Sequence, residues 1–206
     1  MNKIQFKLDK NSRSFIAGKT GTGKTFLAQH LLNSINRLIV IDTKSNLRER
    51  FNLQPETKKN WKKFSSGDPI RLQVKTPLVS ADKFEDYFDE IFKKAYDAGN
   101  CIVYLDEVYG VTNGSKTLPT WLTALYTRGR ELGVGVIACS QRPRHIPLFC
   151  MSESENFFVF RLLLKEDTDR LASFIPELQP IPSEDKHGFF YYNVDMNRPI
   201  YQKSLS

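Results

Sequence analysis

The chain has 206 residues and a formal net charge of +7, and 40% of its residues are hydrophobic and 26% charged. These fractions are close to the averages of soluble globular proteins, so they exclude a disordered, collagen-like or coiled-coil chain. The apolar runs are far shorter than the roughly 18 residues of a membrane span, and the positive charge permits an acidic partner such as nucleic acid without requiring one.

The first predicted elements are two strands, a glycine-rich loop, a helix and a further strand. Residues 4–8 alternate polar and apolar side chains and residues 14–17 form a short apolar run, so both are predicted strands. Apolar residues recur at helical spacing over residues 24–35, and residues 38–42 are typical of a strand buried on both faces. The start of the chain lacks the apolar core of a signal peptide, so we expect a cytosolic protein.

The rest of the chain continues this alternation of strands and helices. Residues 48–69 are polar and lysine-rich and contain turn residues, so we expect an irregular surface segment there. Apolar patterns predict strands at residues 71–74, 101–105, 134–139 and 157–160, and helices at residues 82–99, 119–131 and 166–174.

The order of these elements predicts an α/β fold with a doubly wound, mostly parallel sheet. Residues 188–192 and 198–201 add a predicted C-terminal β-hairpin. We expect one domain over residues 1–206, with a core at about 12–175 and the hairpin at about 186–204.

Three cysteines, Cys101, Cys139 and Cys150, cannot all pair with one another. Two of them stand in predicted buried strands, where a free cysteine behaves as a small hydrophobic residue. We expect reduced thiols and no metal cluster.

Residues 18–25, GKTGTGKT, match the pattern G-x-x-x-x-G-K-[ST] between a predicted strand and a predicted helix. Glycines let backbone N–H groups converge on a triphosphate, and the helix that follows directs its positive end at the ligand. Lys24 is predicted to neutralise the β- and γ-phosphates, and Thr25 to offer its hydroxyl to Mg²⁺. The predicted ATP contacts are Gly18, Lys19, Thr20, Gly21, Thr22, Gly23, Lys24, Thr25 and Phe26.

Two acids, Asp106 and Glu107, end the predicted strand at residues 101–105. We predict that Asp106 holds Mg²⁺ through water and that Glu107 orients or deprotonates the attacking water as general base. Acids that simply begin a loop after a core strand are also common, and this interpretation stays open. An adenylate-type kinase would not need Glu107, because its acceptor is a phosphate rather than water.

Residues 127–143 combine arginines at the end of a predicted helix, a buried strand and a Ser-Gln pair at the carboxyl end of that strand. Gln141 is therefore predicted to lie beside the two acids, in the crevice where open α/β sheets bind ligands. A glutamine there can sense the γ-phosphate or position water. Arg128 and Arg130 either serve the site or only complement the helix dipole.

Together these motifs resemble the FtsK/HerA superfamily of DNA-pumping ATPases, and especially the genome-packaging ATPases of double-jelly-roll viruses. The resemblance depends on GKTGTGKT, on IDTK at 41–44, YLDE at 104–107 and RGRELGVGVIACSQRP at 128–143, and on Asn156 before FFVFRL. It implies ATP and Mg²⁺ as cofactors, double-stranded DNA as a partner, and a ring of five or six subunits. In such a ring Arg128 or Arg130 completes the ATP site of a neighbouring subunit, and Gln141 is the sensor.

The resemblance also implies a place in the host cytoplasm and at a packaging vertex of the virion, with capsid vertex proteins as partners. Larger family members carry a membrane segment, a winged-helix domain or an N-terminal barrel, and their absence from this sequence favours a minimal viral packaging motor. The alternatives left open are a HerA/FtsK-like cellular or plasmid translocase, a zonula-occludens-toxin-like phage assembly ATPase, and a regulatory module that binds ATP without hydrolysing it.

Two segments are candidate DNA contacts, the lysines of residues 58–63 and the loop at residues 111–117 with Lys116. A motor that follows the duplex contacts phosphates with basic residues and does not read bases. A lysine cluster beside Trp61 is more often only a solvated surface segment. The sequence does not decide between these interpretations.

Overall fold

The computed structural model describes residues 9–77, 81–112 and 114–204, so the predicted strand at residues 4–8 lies outside it. Within these ranges nine strands form one sheet. The strands are β1 Arg13–Ala17, β2 Leu38–Asp42, β3 Gln54–Pro55, β4 Arg71–Lys75, β5 Cys101–Leu105, β6 Val134–Ser140, β7 Asn156–Phe160, β8 Phe189–Asn193 and β9 Ile200–Gln202. The helices are α1 Lys24–Leu32, α2 Lys58–Ser65, α3 Ala81–Ala98, α4 Tyr109–Thr112, α5 Thr120–Arg128, α6 Phe149–Ser152 and α7 Lys165–Ala172, with 3-10 turns at Gly129–Leu132 and Pro143–His145.

The strand order is β3-β4-β2-β5-β6-β1-β7-β8-β9. Strands β1 to β7 run parallel to their neighbours, whereas β8 is antiparallel to β7 and β9 is antiparallel to β8. The predicted α/β fold, a mostly parallel sheet with a C-terminal hairpin, is therefore confirmed. We call the side on which the parallel strands end the carboxyl edge, and the opposite side the amino edge.

Both faces of the sheet are covered by helices. In β1, Phe15 belongs to the apolar cluster shared with α3 and α5, whereas its neighbour Ile16 belongs to the cluster shared with α1. This change of face at successive residues follows from the pleat of a strand. Complete burial of such side chains contributes about 1.5 to 3 kcal/mol each, so the two clusters hold the loops at the carboxyl edge on a rigid base. The three cysteines are buried in this interior.

The prediction of an irregular segment at residues 48–69 is wrong, because these residues contain β3 and α2. Thr57 caps α2, since its hydroxyl oxygen accepts a hydrogen bond from the N–H of Asn60 at 3.2 Å. Phe64 is completely buried, and its ring lies 5.8 Å from that of Trp61, centroid to centroid. Helix α2 is polar and buries few side chains, so its sequence has little apolar periodicity. The lysines around Trp61 therefore gave no helical pattern.

Three smaller differences concern helix ends. Helix α1 ends at Leu32 instead of residue 35, and the helix predicted at 119–131 ends at Arg128 and continues as the turn Gly129–Leu132. The candidate DNA loop at 111–117 begins inside α4. The turn after α5 is tight because the chain must reverse to enter β6, and Gly133 takes φ +70° there. None of the described helices is both long and apolar enough to cross a membrane.

Candidate functional site

The glycine-rich loop follows β1 at the carboxyl edge and is anchored to both neighbouring strands. The N–H of Gly18 donates to the carbonyl oxygen of Ser140 at 3.1 Å, and the N–H of Lys19 donates to that of Arg161 at 2.9 Å. A Cβ on Gly18 would lie 2.6 Å from the Cβ of Phe160. Only glycine therefore lets the loop pass this close to β7.

Helix α1 begins directly behind the loop. Its N-cap is Gly23, which takes φ +111°, and no described side chain caps this helix end. The N–H groups of the first turn are consequently left for another acceptor, and the helix dipole adds partial positive charge there. A loop and a helix end of this kind bind phosphate groups.

Lys24 extends back along the loop. Its Nζ donates to the carbonyl oxygen of Gly18 at 2.6 Å and to that of Lys19 at 3.1 Å. Only 9% of the residue is exposed, and this burial lowers the pKa of its ammonium group. The carboxylates of Glu107 and Asp106 act in the opposite direction, so cation and acids are close enough to interact.

The two acids lie at the end of β5. Asp106 is 9% exposed and accepts a hydrogen bond from the hydroxyl of Tyr104 at 3.2 Å. Burial raises the pKa of Asp106, although Lys44 and Lys24 oppose the change. Burial also raises the pKa of Glu107. A raised pKa makes each carboxylate a stronger proton acceptor than it would be in water.

Gln141 joins the loop to the second acid. Its Oε1 accepts a hydrogen bond from the hydroxyl of Thr20 at 2.5 Å, and its backbone N–H donates to Oε2 of Glu107 at 3.1 Å. The structure thus places Gln141 beside the acids, where the strand order predicted it. A cavity of about 350 Å³ opens here, lined by Glu107, Tyr109, Gln141, Arg142 and His145.

Arg142 is a member of this site that the sequence reasoning did not single out. Its Nε donates to Oδ2 of Asp167 at 2.9 Å, and the N–H of Arg144 donates to Oδ1 of the same carboxylate at 3.0 Å. Asp167 is completely buried on α7. The series at residues 127–143 contains this arginine, but its partner stands 25 residues later and leaves no local signal.

The two candidate finger arginines are not at this edge. Arg128 ends α5 and Arg130 lies in the turn that enters β6, so both stand at the amino edge. Seven residues of β6 separate that edge from Gln141, which at roughly 3.3 Å per residue is about 20 Å. Within one subunit, neither arginine reaches the phosphate loop.

The two arginines also differ from each other. Arg130 is bonded to Oε1 of Glu155, and Arg13 lies 3.4 Å from the same oxygen. Arg128 is exposed and forms no ion pair with any described residue. Of the two arginines, Arg128 is therefore the one whose guanidinium group has no ionic partner within the described ranges.

The candidate DNA contacts are on the surface. Four exposed lysines of α2 form no ion pair within the ranges that the structure covers; they are Lys58, Lys59, Lys62 and Lys63. Lys116 is exposed as well. Neither Lys116 nor the lysines of α2 line the cavity beside Glu107 and Gln141.

The fold and this arrangement of loop, lysine and acids define a P-loop ATPase. Residues 14–162 match the family described as "ATPase family associated with various cellular activities (AAA)". The chain belongs to that family of ATP-binding enzymes.

Three similar proteins within this broad class are viral packaging ATPases. The DNA packaging ATPase P9 of Enterobacteria phage PRD1 is 27% identical over 202 residues, which cover 91% of this chain and 85% of that protein. The genome packaging NTPase B204 of Sulfolobus turreted icosahedral virus 2, solved with ATP-gammaS, is similar with a TM-score of 0.76 and 15% identity, over 97% of this chain and 100% of that one. B204 of Sulfolobus turreted icosahedral virus gives a TM-score of 0.73 and 16% identity, again over 97% and 100%. The predicted resemblance to viral packaging ATPases is thus confirmed.

Proposed function

We propose that this chain is a genome-packaging motor that hydrolyses ATP to move double-stranded DNA into a viral capsid. The observation that carries the proposal is the convergence of Lys24, Glu107 and Gln141 at one end of the sheet, since these groups suit hydrolysis and not only binding. The similarity to the phage PRD1 packaging ATPase supports DNA as the substrate that is moved.

The alternatives have less support. The chain covers 100% of each B204 packaging NTPase, so it matches the size of a packaging ATPase and not only its core. A module that binds ATP without hydrolysing it would not need a partly buried acid that contacts Gln141 beside the phosphate loop. Glu107 is such an acid.

Hydrolysis follows from the positions of the side chains. When a triphosphate occupies the loop, the Nζ of Lys24 exchanges the carbonyl oxygens of Gly18 and Lys19 for phosphate oxygens and neutralises their charge. Glu107 accepts a proton from the attacking water, and its raised pKa favours that transfer. Gln141 contacts both Thr20 in the phosphate loop and Glu107. A bound phosphate that displaces Thr20 would therefore also shift Gln141 and change its contact with Glu107.

Thr25 and Asp106 fit a role in holding Mg²⁺. Both offer oxygen donors, Thr25 at the start of α1 and Asp106 at the end of β5. No group of three or more His, Cys, Asp or Glu among the described residues can enclose a metal. Mg²⁺ suits such a sparse site, because it keeps several waters and binds through one or two carboxylates and the phosphates of the substrate. When bound, it would neutralise charge on the β- and γ-phosphates.

We assign the trans-acting finger to Arg128 and not to Arg130. A finger must be free to enter a neighbouring site, and Arg130 is already bonded to Glu155. Arg128 is exposed at the edge opposite to its own phosphate loop, so it can serve only a second subunit. This supports a ring of five or six copies in which each amino edge faces the carboxyl edge of the next copy.

The lysines of α2 are the preferred DNA contacts. Lys58 and Lys59 stand in the first turn, where the helix dipole opposes positive charge, and no acid stands there. Lys62 and Lys63 follow one turn later, which adds like-charge repulsion of a few tenths of a kcal/mol. A sequence that tolerates both penalties on an exposed face is suited to a polyanion such as the DNA backbone.

The experiment is to measure the ATPase rate with and without duplex DNA and the native mass of the assembly under the same conditions. We expect stimulation by DNA and a mass of five or six subunits. The variant Lys59→Gln/Lys63→Gln should flatten the salt dependence of DNA binding by a log–log slope of about 1.8, at roughly 0.9 per phosphate contact. The matched control Lys93→Gln/Lys165→Gln removes lysines that are already paired with Asp97 and Asp169. ATPase activity with neither DNA binding nor assembly would refute the proposal.

For a packaging motor we further propose a place in the host cytoplasm and at a packaging vertex, with capsid vertex proteins as docking partners. Immunodetection of the chain in purified virions tests this. A protein found only in the soluble fraction of infected cells would limit it to an assembly role outside the virion.

A further inference from the structure

Asp167 of α7 is a completely buried acid that the mechanism above does not use. Both of its carboxylate oxygens accept hydrogen bonds: Oδ2 from Nε of Arg142 at 2.9 Å, and Oδ1 from the backbone N–H of Arg144 at 3.0 Å. Burial of an ion pair costs free energy that a well-packed apolar pair would not cost. Stability alone therefore does not account for this acid.

Asp167 connects the two segments that follow β6 and β7. Arg142 and Arg144 belong to the segment after β6, whereas Asp167 belongs to the helix that follows β7. These two strands are not neighbours, because β1 lies between them in the sheet. At a spacing of roughly 4.8 Å per strand, the two segments begin about 10 Å apart. The bonds of Asp167 thus join two parts of the carboxyl edge that the sheet itself does not pair.

The phosphate loop is anchored to the same two segments. The N–H of Gly18 donates to the carbonyl oxygen of Ser140, the last residue of β6. The N–H of Lys19 donates to that of Arg161, the first residue after β7. Together with the bonds of Asp167, these contacts form a closed circuit that runs from the loop along one segment, across the ion pair and back along the other. The ion pair therefore fixes how far the two segments can separate.

Gln141 lies within this circuit. Its two neighbours in the chain are both held, Ser140 by the phosphate loop and Arg142 by Asp167. The N–H of Arg142 also donates to Oγ of Ser140 at 3.1 Å, which closes the turn around Gln141. The side chain of Gln141 contacts Thr20 of the loop at 2.5 Å. The main chain of Gln141 consequently cannot shift toward or away from the loop without breaking one of these bonds.

We propose that Asp167 is a positioning residue for Gln141, and that its bonds to Arg142 and Arg144 keep the Gln141 amide where the γ-phosphate of ATP binds. The inference rests on the proposed ATPase function, in which Gln141 senses that phosphate. A displacement of about 1 Å in such a site is enough to lower the rate about 100-fold. The ion pair thus gives Gln141 the fixed position that it needs to distinguish a triphosphate from a diphosphate.

The test is a double-mutant cycle on nucleotide affinity. Calorimetry measures the binding of ATP-gammaS and of ADP, each with Mg²⁺, to the wild type, Asp167→Asn, Gln141→Ala and the double variant. ADP lacks the phosphate that Gln141 contacts, so its affinity should stay the same in all four proteins. A hydrogen bond to a charged group is worth roughly tenfold in affinity, so each single variant should bind ATP-gammaS about tenfold more weakly. The double variant should be no weaker than Gln141→Ala, because Asp167 acts through Gln141.

The matched control is Asp169→Asn. It removes an acid from the same helix, but this acid is exposed and paired with Lys165, so neither affinity should change. If Asp167→Asn does not fold, Arg142→Gln removes the other half of the same ion pair and takes its place in the cycle, with the same expected result.

The outcomes separate this inference from the proposed function. An unchanged preference for ATP-gammaS over ADP in Asp167→Asn would show that the ion pair serves only stability, and would overturn the inference. Losses that multiply in the double variant would overturn it too, since Asp167 would then act independently of Gln141. A wild type that hydrolyses ATP but binds ATP-gammaS no better than ADP would overturn the inference alone. A wild type that shows the expected cycle but hydrolyses no ATP would refute the motor and not the positioning of Gln141.

Discussion

The two edges of the sheet treat charge in opposite ways. At the carboxyl edge Lys24 and Asp106 are buried and Glu107 is partly buried, and this burial shifts the pKa of each. At the amino edge Arg128 is exposed and has no ionic partner among the described residues, whereas Arg130 has one in Glu155. The carboxyl edge has the features of a site that acts on a ligand, whereas the amino edge exposes the positive charge of Arg128 on the surface of the subunit.

Under the proposed mechanism, one subunit holds only part of a hydrolytic site. The carboxyl edge would supply the loop, the base and the sensor, and the amino edge would supply Arg128 to the site of a neighbouring subunit. Two subunits in contact would therefore combine what each keeps at opposite ends. The following predictions test that division.

The largest effect is expected for Arg128→Ala. A trans-acting arginine is worth about 10³ to 10⁵ in kcat in well-studied phosphoryl transfer enzymes, so the variant should lose nearly all DNA-stimulated ATPase activity. Arg130→Ala is the control, and it should change the stability by under about 1 kcal/mol, because its ion pair is exposed. The measurements are the steady-state ATPase rate and thermal unfolding.

Mixing two variants tests whether Arg128 acts on its own subunit or on a neighbouring one. Arg128→Ala has an intact loop and Lys24→Ala has an intact arginine, so mixed rings should recover activity that neither variant has alone. Absence of recovery in rings shown to be mixed would place Arg128 outside the site. Equal losses for Arg128→Ala and Arg130→Ala would remove the distinction between the two arginines.

Glu107→Gln tests the carboxyl edge alone. Loss of the general base should lower kcat by about 10² to 10⁴, while the affinity for ATP stays close to that of the wild type, because the loop is untouched. Single-turnover kinetics and nucleotide titration separate these two quantities. Unchanged turnover would show that Glu107 is not the base.

The smallest effect is a change in stability with pH. Burial raises the folded pKa of Glu107 above its ordinary value of 4.5, so the native state binds more protons than the unfolded state in that range. Its contribution to stability is then lost as the pH rises through the folded pKa. Glu107→Gln removes this penalty and should raise Tm at pH 7.5.

The difference in Tm should vanish toward pH 4.5, where the wild-type carboxyl group is protonated in the native state. The amino-edge control is Glu155→Gln, which loses its contacts with Arg13 and Arg130 and should gain no stability. A gain in both variants would mean that general charge repulsion, and not burial of Glu107, is responsible.

The sequence predicted most of the sheet, because buried parallel strands are continuous apolar runs. Strand β5 and the long helix α3 were predicted almost to their ends. Helix α2 was missed, since its one buried residue, Phe64, leaves no periodicity among the lysines. Sequence patterns therefore identify elements that bury a face and fail for those that bury a single side chain.

The residues of the site likewise fall into those that the sequence predicted and those that it did not. The loop at residues 18–25 was recognised because its backbone geometry requires glycines at fixed spacing, and Gln141 because it follows a predicted core strand. Arg142 with Asp167 was missed, because these two residues meet only through a tertiary contact. Local rules of chain geometry leave local signals, and long-range contacts do not.

The uncapped start of α1 has a further consequence. No described side chain caps this helix end, so a nucleotide bound there would complete its hydrogen bonds and become part of the folded structure. By mass action, a nucleotide at 100 times its Kd stabilises the bound subunit by about 2.7 kcal/mol. In the proposed ring, the subunit that has just released its product would be the least stable member. The supply of ATP would then set the lifetime of the motor as well as its speed.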